Sequence, residues 1–207
     1  MARAEARAGR RAGEVRLLAV TKIFPFDAIS QAYEAGLREF GENYVQEFEG
    51  KFPHVGQLDG ARFHLIGHLQ SNKAAKAAEI FDVIQTVDSA KLARRLDQSG
   101  KRLDVMVEVK LSEEDSKHGV LPEDLNGVVE AIGECPNLTL LGLMTMPPWS
   151  DDAETARPYF AKLRELAGRW NLPRLSMGMS NDLEVAIEEG STDVRVGTAL
   201  FGKRKKL

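Results

Sequence analysis

Three stretches of the chain hold residues able to do chemistry together. Lys22 ends the run Val15-Arg-Leu-Leu-Ala-Val-Thr-Lys22, which lies between Gly13 and Pro25 and reads as a buried strand. An amine at the mouth of such a strand is partly desolvated, which disfavours the ammonium and leaves a nucleophile suited to forming a Schiff base with an aldehyde. Far along the chain, Ser176-Met177-Gly178-Met179-Ser180-Asn181-Asp182 offers hydroxyl donors, a glycine for close backbone approach, and a helix start at Asn181 with Glu184 three residues on, the pattern of a capping box. Arg195-Val196-Gly197-Thr198 then adds a guanidinium, backbone N–H groups and a second hydroxyl. The last two stretches have the makings of a cup for an anion such as phosphate.

These stretches matter to one another only if the fold brings residue 22 beside residues 176–198. Short apolar runs recur eight times, each followed by a helix-like stretch: Val15–Lys22, 38–42, 62–66, 82–87, 103–111, 138–144, 174–177 and 193–196. Near-continuous apolar strands alternating with helices imply a parallel sheet covered on both faces. Eight such units close most naturally into a single α/β domain, a (β/α)8 TIM barrel. A doubly wound open sheet is the competitor, but it usually carries a glycine-rich phosphate loop after its first strand, and Thr21-Lys22-Ile23-Phe24-Pro25 has no glycine. In a barrel, Lys22 ends strand one and the two cup stretches follow strands seven and eight, where such barrels bind phosphate. The loop 112–120 after strand five carries many ionisable residues and is expected to be exposed and mobile.

Composition narrows the function further. With 28 basic and 31 acidic side chains, the net charge of −3 gives no reason to expect nucleic acid or an anionic membrane as partner. No apolar run approaches the roughly 20 residues needed to span a bilayer. The one cysteine, Cys135, excludes an intrachain disulfide and fits a cytoplasmic location. His64 and His68 have metal-chelating spacing, but Gly67 breaks any shared helical face, so no metal site is expected.

An amine and a phosphate cup on one barrel mouth suit a phosphorylated aldehyde, and pyridoxal 5′-phosphate (PLP) is the obvious one. Asn43, Met144 and Met177 are placed to line its ring. Arg195 near the pyridine nitrogen would keep that nitrogen unprotonated, since a fixed positive charge opposes a second.

The sequence resembles the pyridoxal-phosphate homeostasis protein family, whose fold is that of the alanine racemase N-terminal barrel. The matching segments are Leu18-Ala-Val-Thr-Lys22, Phe40-Gly-Glu-Asn-Tyr-Val-Gln-Glu47, Phe63-His-Leu-Ile-Gly-His-Leu-Gln-Ser-Asn-Lys73, Glu114-Asp-Ser-Lys-His-Gly119, Gly142-Leu-Met-Thr-Met146, Leu175-Ser-Met-Gly-Met-Ser180 with Asp182, and Gly190-Ser-Thr-Asp-Val-Arg-Val-Gly197 with Phe201-Gly202. The resemblance implies that Lys22 carries PLP as an internal aldimine and that Ser176, Ser180, Arg195, Gly197 and Thr198 surround its phosphate and ring. It also implies a role in vitamin B6 homeostasis with no established catalytic reaction. Residues 1–14 stand where the family usually has a longer leading helix, and read as a shortened helix or disordered arm before the barrel 15–202 and the basic tail 203–207. Lys110 stands where the family commonly has Asn, which puts a second amine near the end of strand five.

The resulting expectation is a monomeric PLP carrier, with PLP-dependent apoenzymes as possible recipients. The alternative is a racemase-like PLP enzyme, which needs an acid or base on the cofactor face opposite Lys22. A Schiff-base aldolase is a third reading, disfavoured because such enzymes generally place the lysine on a later strand.

Overall fold

In the computed structural model, which describes residues 1–114 and 118–202, the apolar runs form β1 (Arg16–Val20), β2 (Glu39–Glu42), β3 (Arg62–Leu65), β4 (Val83–Val87), β5 (Leu103–Glu108), β6 (Leu138–Met144), β7 (Arg174–Met179) and β8 (Asp193–Val196). All neighbours pair in parallel, and β8 returns to β1 through Arg16 opposite Asp193 to Ala19 opposite Val196, closing the barrel. Helices α2 (Phe26–Glu34), α3 (Val45–Val55), α4 (Ala74–Ile80), α5 (Ala90–Asp97), α6 (Leu125–Gly133), α7 (Arg157–Gly168) and α8 (Leu183–Glu188) make the crossovers, and α9 (Thr198–Phe201) follows β8. The expected basic tail 203–207 and the segment 115–117 lie outside the described residues.

The strands present two unlike faces. Outward, Phe40 stacks on Phe63, which meets Phe48 of α3, and Phe48 in turn meets Phe81, at centroid distances of 4.7 to 5.7 Å. This layer between barrel and helices is the apolar core. Inward, the barrel is largely polar: the side chain of Gln85 on β4 bonds that of Ser176 on β7, and strands that far apart can only meet across the lumen. Barrels of this kind usually fill the lumen with branched aliphatic residues.

The leading arm is folded onto this frame. It holds a helix, α1 (Ala2–Arg7), whose buried Glu5 accepts the Val15 N–H at 2.9 Å and whose Arg7 pairs with Glu184 and Glu188 of α8.

Several local expectations change. Strand one stops at Val20, so Lys22 stands in the turn beyond it. Strand five stops at Glu108, and the loop after it is not wholly exposed: Val120 donates to the Glu108 carbonyl at 2.8 Å and accepts from the Lys110 N–H at 2.9 Å. Strand seven runs on to Met179. The α8 cap is Asp182 rather than Asn181; Asn181 donates to the Ser150 carbonyl and Glu184 is taken by Arg7, so no capping box forms.

Candidate functional site at the barrel mouth

Lys22 is delivered by a tight turn. The Phe24 N–H donates to the Thr21 carbonyl at 3.1 Å, leaving Lys22 and Ile23 as the two central residues. Ile23 has φ +71°, the conformation that type II turns require at this position and normally give to glycine. A β-branched residue held there stores about 1–3 kcal/mol of strain, so its surroundings must impose it.

Those surroundings are three ionisable side chains behind the turn. Lys51, buried on α3, donates to the Thr21 carbonyl at 3.0 Å and to Glu42 at 2.8 Å, and pairs with Glu47 at 2.6 Å. Glu47 also accepts the Ile23 N–H at 2.6 Å, and Thr21 donates its hydroxyl to Glu42 at 2.7 Å. Burial pushes the Glu42 carboxyl up against the pull of Lys51.

In front of the turn lies an open cavity of about 240 Å³. Lys22 and Asn43 line one side; Ser180, Gly197 and Thr198 line the other; Arg195 closes the floor. Two glycines allow these approaches. A Cβ on Gly67 would lie 2.2 Å from the Asn43 carbonyl oxygen, and Gly178, at φ +94°, would bring one to 2.5 Å from Ala186. Ser180 accepts the Ala199 N–H at 3.4 Å, which ties the loop after β7 to the first turn of α9. Among the described residues the buried Oδ1 of Asn43 has no hydrogen-bond partner, so a ligand donor would satisfy it.

Beneath the cavity the polar lumen forms a directed column. Arg195 donates to the Ser176 carbonyl at 2.7 Å, to its Oγ at 2.8 Å and to the Thr145 carbonyl at 2.8 Å. Ser176 donates to Gln85 Oε1 at 2.7 Å; the Gln85 amide donates to His64 Nδ1 at 2.9 Å; His64 Nε2–H donates to Glu39 at 2.5 Å. A hydroxyl has one proton, so Ser176 spends it on Gln85 and serves Arg195 only as an acceptor. Burial brings the Arg195 guanidinium down to about 10, still high enough to be charged at neutral pH.

Six of the eight expected binding residues therefore meet around one cavity, and two do not. Ser176 lies below the cavity floor within the column. Met177 is fully buried in the layer between barrel and helices, and Met144 is fully buried as well. The methionines that line the cavity are Met146 and Met179. Strand seven runs on past Met177, which alternates with the inward Ser176 and so faces the helices, while the loss of register between Ser176 and Met179 at the left-handed Gly178 brings Met179 to the cavity. Trp149 lines the cavity and is 73% exposed. Lys110 is not among the cavity's lining residues.

Other candidates resolve into structure. His64 belongs to the column, while His68 stacks on His118 and faces Asp88 at 3.6 Å. Among the described residues no cluster of His, Cys, Asp and Glu is suited to a metal ion. Cys135 is buried and its Sγ donates to the Ala131 carbonyl. No helix among the described residues is long and apolar enough to cross a membrane.

Sequence reasoning missed Glu47 and Lys51. The signal was there: Lys51 falls three residues after Phe48 and four before Val55, on the apolar face of α3, where a lysine needs a reason.

Known proteins resemble this chain over nearly its whole length. The model of the alanine racemase N-terminal domain family matches residues 2–205. A pyridoxal phosphate homeostasis protein of Pseudomonas aeruginosa is 47% identical, with 95% of this chain and 88% of that protein aligned, and its counterpart in Aquifex aeolicus is 44% identical over 96% and 91%. The structure of PipY from Synechococcus elongatus, solved with PLP bound, superposes with a TM-score of 0.86 at 39% identity, covering 97% of this chain and 99% of PipY. With identity at this level over nearly the whole barrel, the chain belongs to the pyridoxal phosphate homeostasis proteins, within the alanine racemase N-terminal domain family.

Proposed function

We propose that this protein binds pyridoxal 5′-phosphate through Lys22 and acts as a carrier in vitamin B6 homeostasis, not as a turnover enzyme. The observation that carries the reading is a turn-held lysine and an anion cup opening on the same cavity. PipY with PLP bound matches the barrel over 99% of its length, which supports a cofactor site built from the barrel alone. The bound cofactor would supply an aldehyde for a Schiff base and a ring able to accept electrons. Lys22 holds the aldehyde end. Ser180, Thr198 and the backbone at Gly197 hold the phosphate, and Asn43 takes a ring substituent with its unpartnered oxygen. Arg195 below them disfavours protonation of the ring nitrogen and so weakens electron withdrawal.

The carrier reading rests on the other ionisable groups. Among the described residues lining the cavity these are Lys22, Asp182 and Arg195. Asp182 accepts the Met179 N–H at 2.6 Å, and Arg195 is tied to Ser176 and Thr145. Neither is placed as an acid or base that a racemase would require opposite Lys22. Recipients would be apoenzymes that use the same cofactor, approaching the mouth past Trp149; the protein would serve as a cytoplasmic monomer.

The test is reduction of the PLP-loaded protein with borohydride followed by peptide mapping. The label is expected on Lys22 and absent in Lys22→Ala; a label on Lys110, or no adduct at all, overturns the site. Turnover of an amino-acid panel above that of free PLP, and dependent on Lys22, overturns the carrier role.

A further inference from the structure

We infer that Glu47 and Lys51 are positioning residues for Lys22, holding both of its peptide groups so that the amine meets its aldehyde partner at a fixed angle; the inference rests on Lys22 as the PLP-binding lysine. The two residues flanking Lys22 each give one backbone group to this pair. The Thr21 carbonyl belongs to the peptide before Lys22 and accepts from Lys51; the Ile23 N–H belongs to the peptide after it and donates to Glu47. Both side chains come from α3, one turn apart, and they pair with each other at 2.6 Å. Glu42 completes the set by accepting from Lys51 and from the Thr21 hydroxyl.

Packing of Ile23 itself does not account for the shape of the turn. Ile23 is 47% exposed, so little packing is gained by forcing an isoleucine into a left-handed conformation. What the conformation does achieve is to end β1 abruptly and turn Lys22 toward the cavity. Nor is Lys51 explained by stability alone, since a buried ammonium is costly and an apolar residue would sit more cheaply on that face of α3. The cluster lies behind the turn and outside the cavity lining, so it acts on the ligand only through Lys22.

A role in positioning separates covalent capture from ligand fit. The experiment compares PLP with 4′-deoxypyridoxine 5′-phosphate, which has the ring and phosphate but no aldehyde. In Glu47→Gln and Lys51→Met, PLP affinity is expected to fall about tenfold, the equivalent of one charge-assisted hydrogen bond, while the deoxy compound binds as to the unaltered protein. The rate of adduct formation, followed by absorbance, should fall with it. Ile23→Gly added to Glu47→Gln should recover much of the loss, because glycine adopts the left-handed turn without being held there. Glu47 lies at the edge of the cluster, so this pair decides the question even if Lys51→Met does not fold. Equal loss for both ligands, unchanged affinity for PLP, or no recovery with Ile23→Gly overturns the inference. If the unaltered protein forms no adduct at Lys22, the proposed function fails instead.

Discussion

Glu39 and Phe40 are neighbours on β2, and Phe63 and His64 are neighbours on β3, yet each pair is divided between two environments. Phe40 and Phe63 face the helices and join an aromatic cluster with Phe48 and Phe81; Glu39 and His64 face the lumen and join a hydrogen-bonded column that ends at Arg195. The outer layer is apolar and close packed, so its contribution is area removed from water, which is large and indifferent to direction. Hydrogen bonds in the lumen each contribute little net stability, but they fix donors and acceptors in space. The division assigns stability to one face of a strand and orientation of the cavity floor to the other.

The strongest way to break this division is from outside. Phe48→Ala should cost about 3–5 kcal/mol in urea unfolding, with PLP affinity unchanged wherever the protein stays folded. Loss of affinity before loss of structure would show that the outer layer also sets the site.

Lower in the lumen, charge is used for stability, and pH separates it from the column. Burial alone would raise the Asp193 carboxyl, but hydrogen bonds from Arg174 and Arg16 outweigh it and bring the group down to about 2 from an ordinary 3.8. A carboxyl depressed in the folded state stabilises above its unfolded pKa and ceases to do so as pH falls through the folded one. Stability of about 2 kcal/mol should therefore drain away between about pH 4 and pH 2, and Asp193→Asn should flatten that part of the unfolding profile. An unaltered profile in the variant would assign the acid sensitivity elsewhere.

The smallest stability effect sharpens the comparison most. Ser176→Ala removes the middle of the column, leaving Gln85 Oε1 without its donor and Arg195 with the carbonyl bonds alone; the cost should be about 1 kcal/mol. PLP affinity should nonetheless fall, since the cavity floor loses its alignment. Titration of the variant by absorbance checks this, and wild-type affinity would reduce the column to a structural filler.

How much of this was legible in the sequence depended on which rule governed each residue. β6 and β8 begin and end where their apolar runs do, because both are bounded by turn residues and follow a simple pattern. Lys22 and the cup residues Ser180, Gly197 and Thr198 were legible because barrel sites lie at strand ends, a rule that needs only position. Met177 was placed at the mouth because its strand was read as ending there; β7 runs on to Met179, and no local propensity announces the irregularity that turns Met179 to the cavity. Ser176 was placed in the cup because a hydroxyl next to a phosphate loop looks like a donor; that its proton is committed to Gln85, 91 residues away, is a tertiary fact. Lys51 was legible as a lysine on the apolar face of α3, but what it holds was not, since nothing local shows that the turn after β1 lies against that helix.

The one-way order of donors in the column bears on which sequences the barrel can tolerate. Position 85 must accept on one arm and donate on the other, position 64 must accept at Nδ1 and give its proton at Nε2, and position 39 must only accept. A glutamate at 85 would offer His64 a second acceptor where it needs a donor; a lysine at 39, which has no acceptor, would break the terminus. Each change becomes harmless only if a neighbour reverses its own sense, so residues 39, 64, 85 and 176 are free to drift as a set and constrained one at a time.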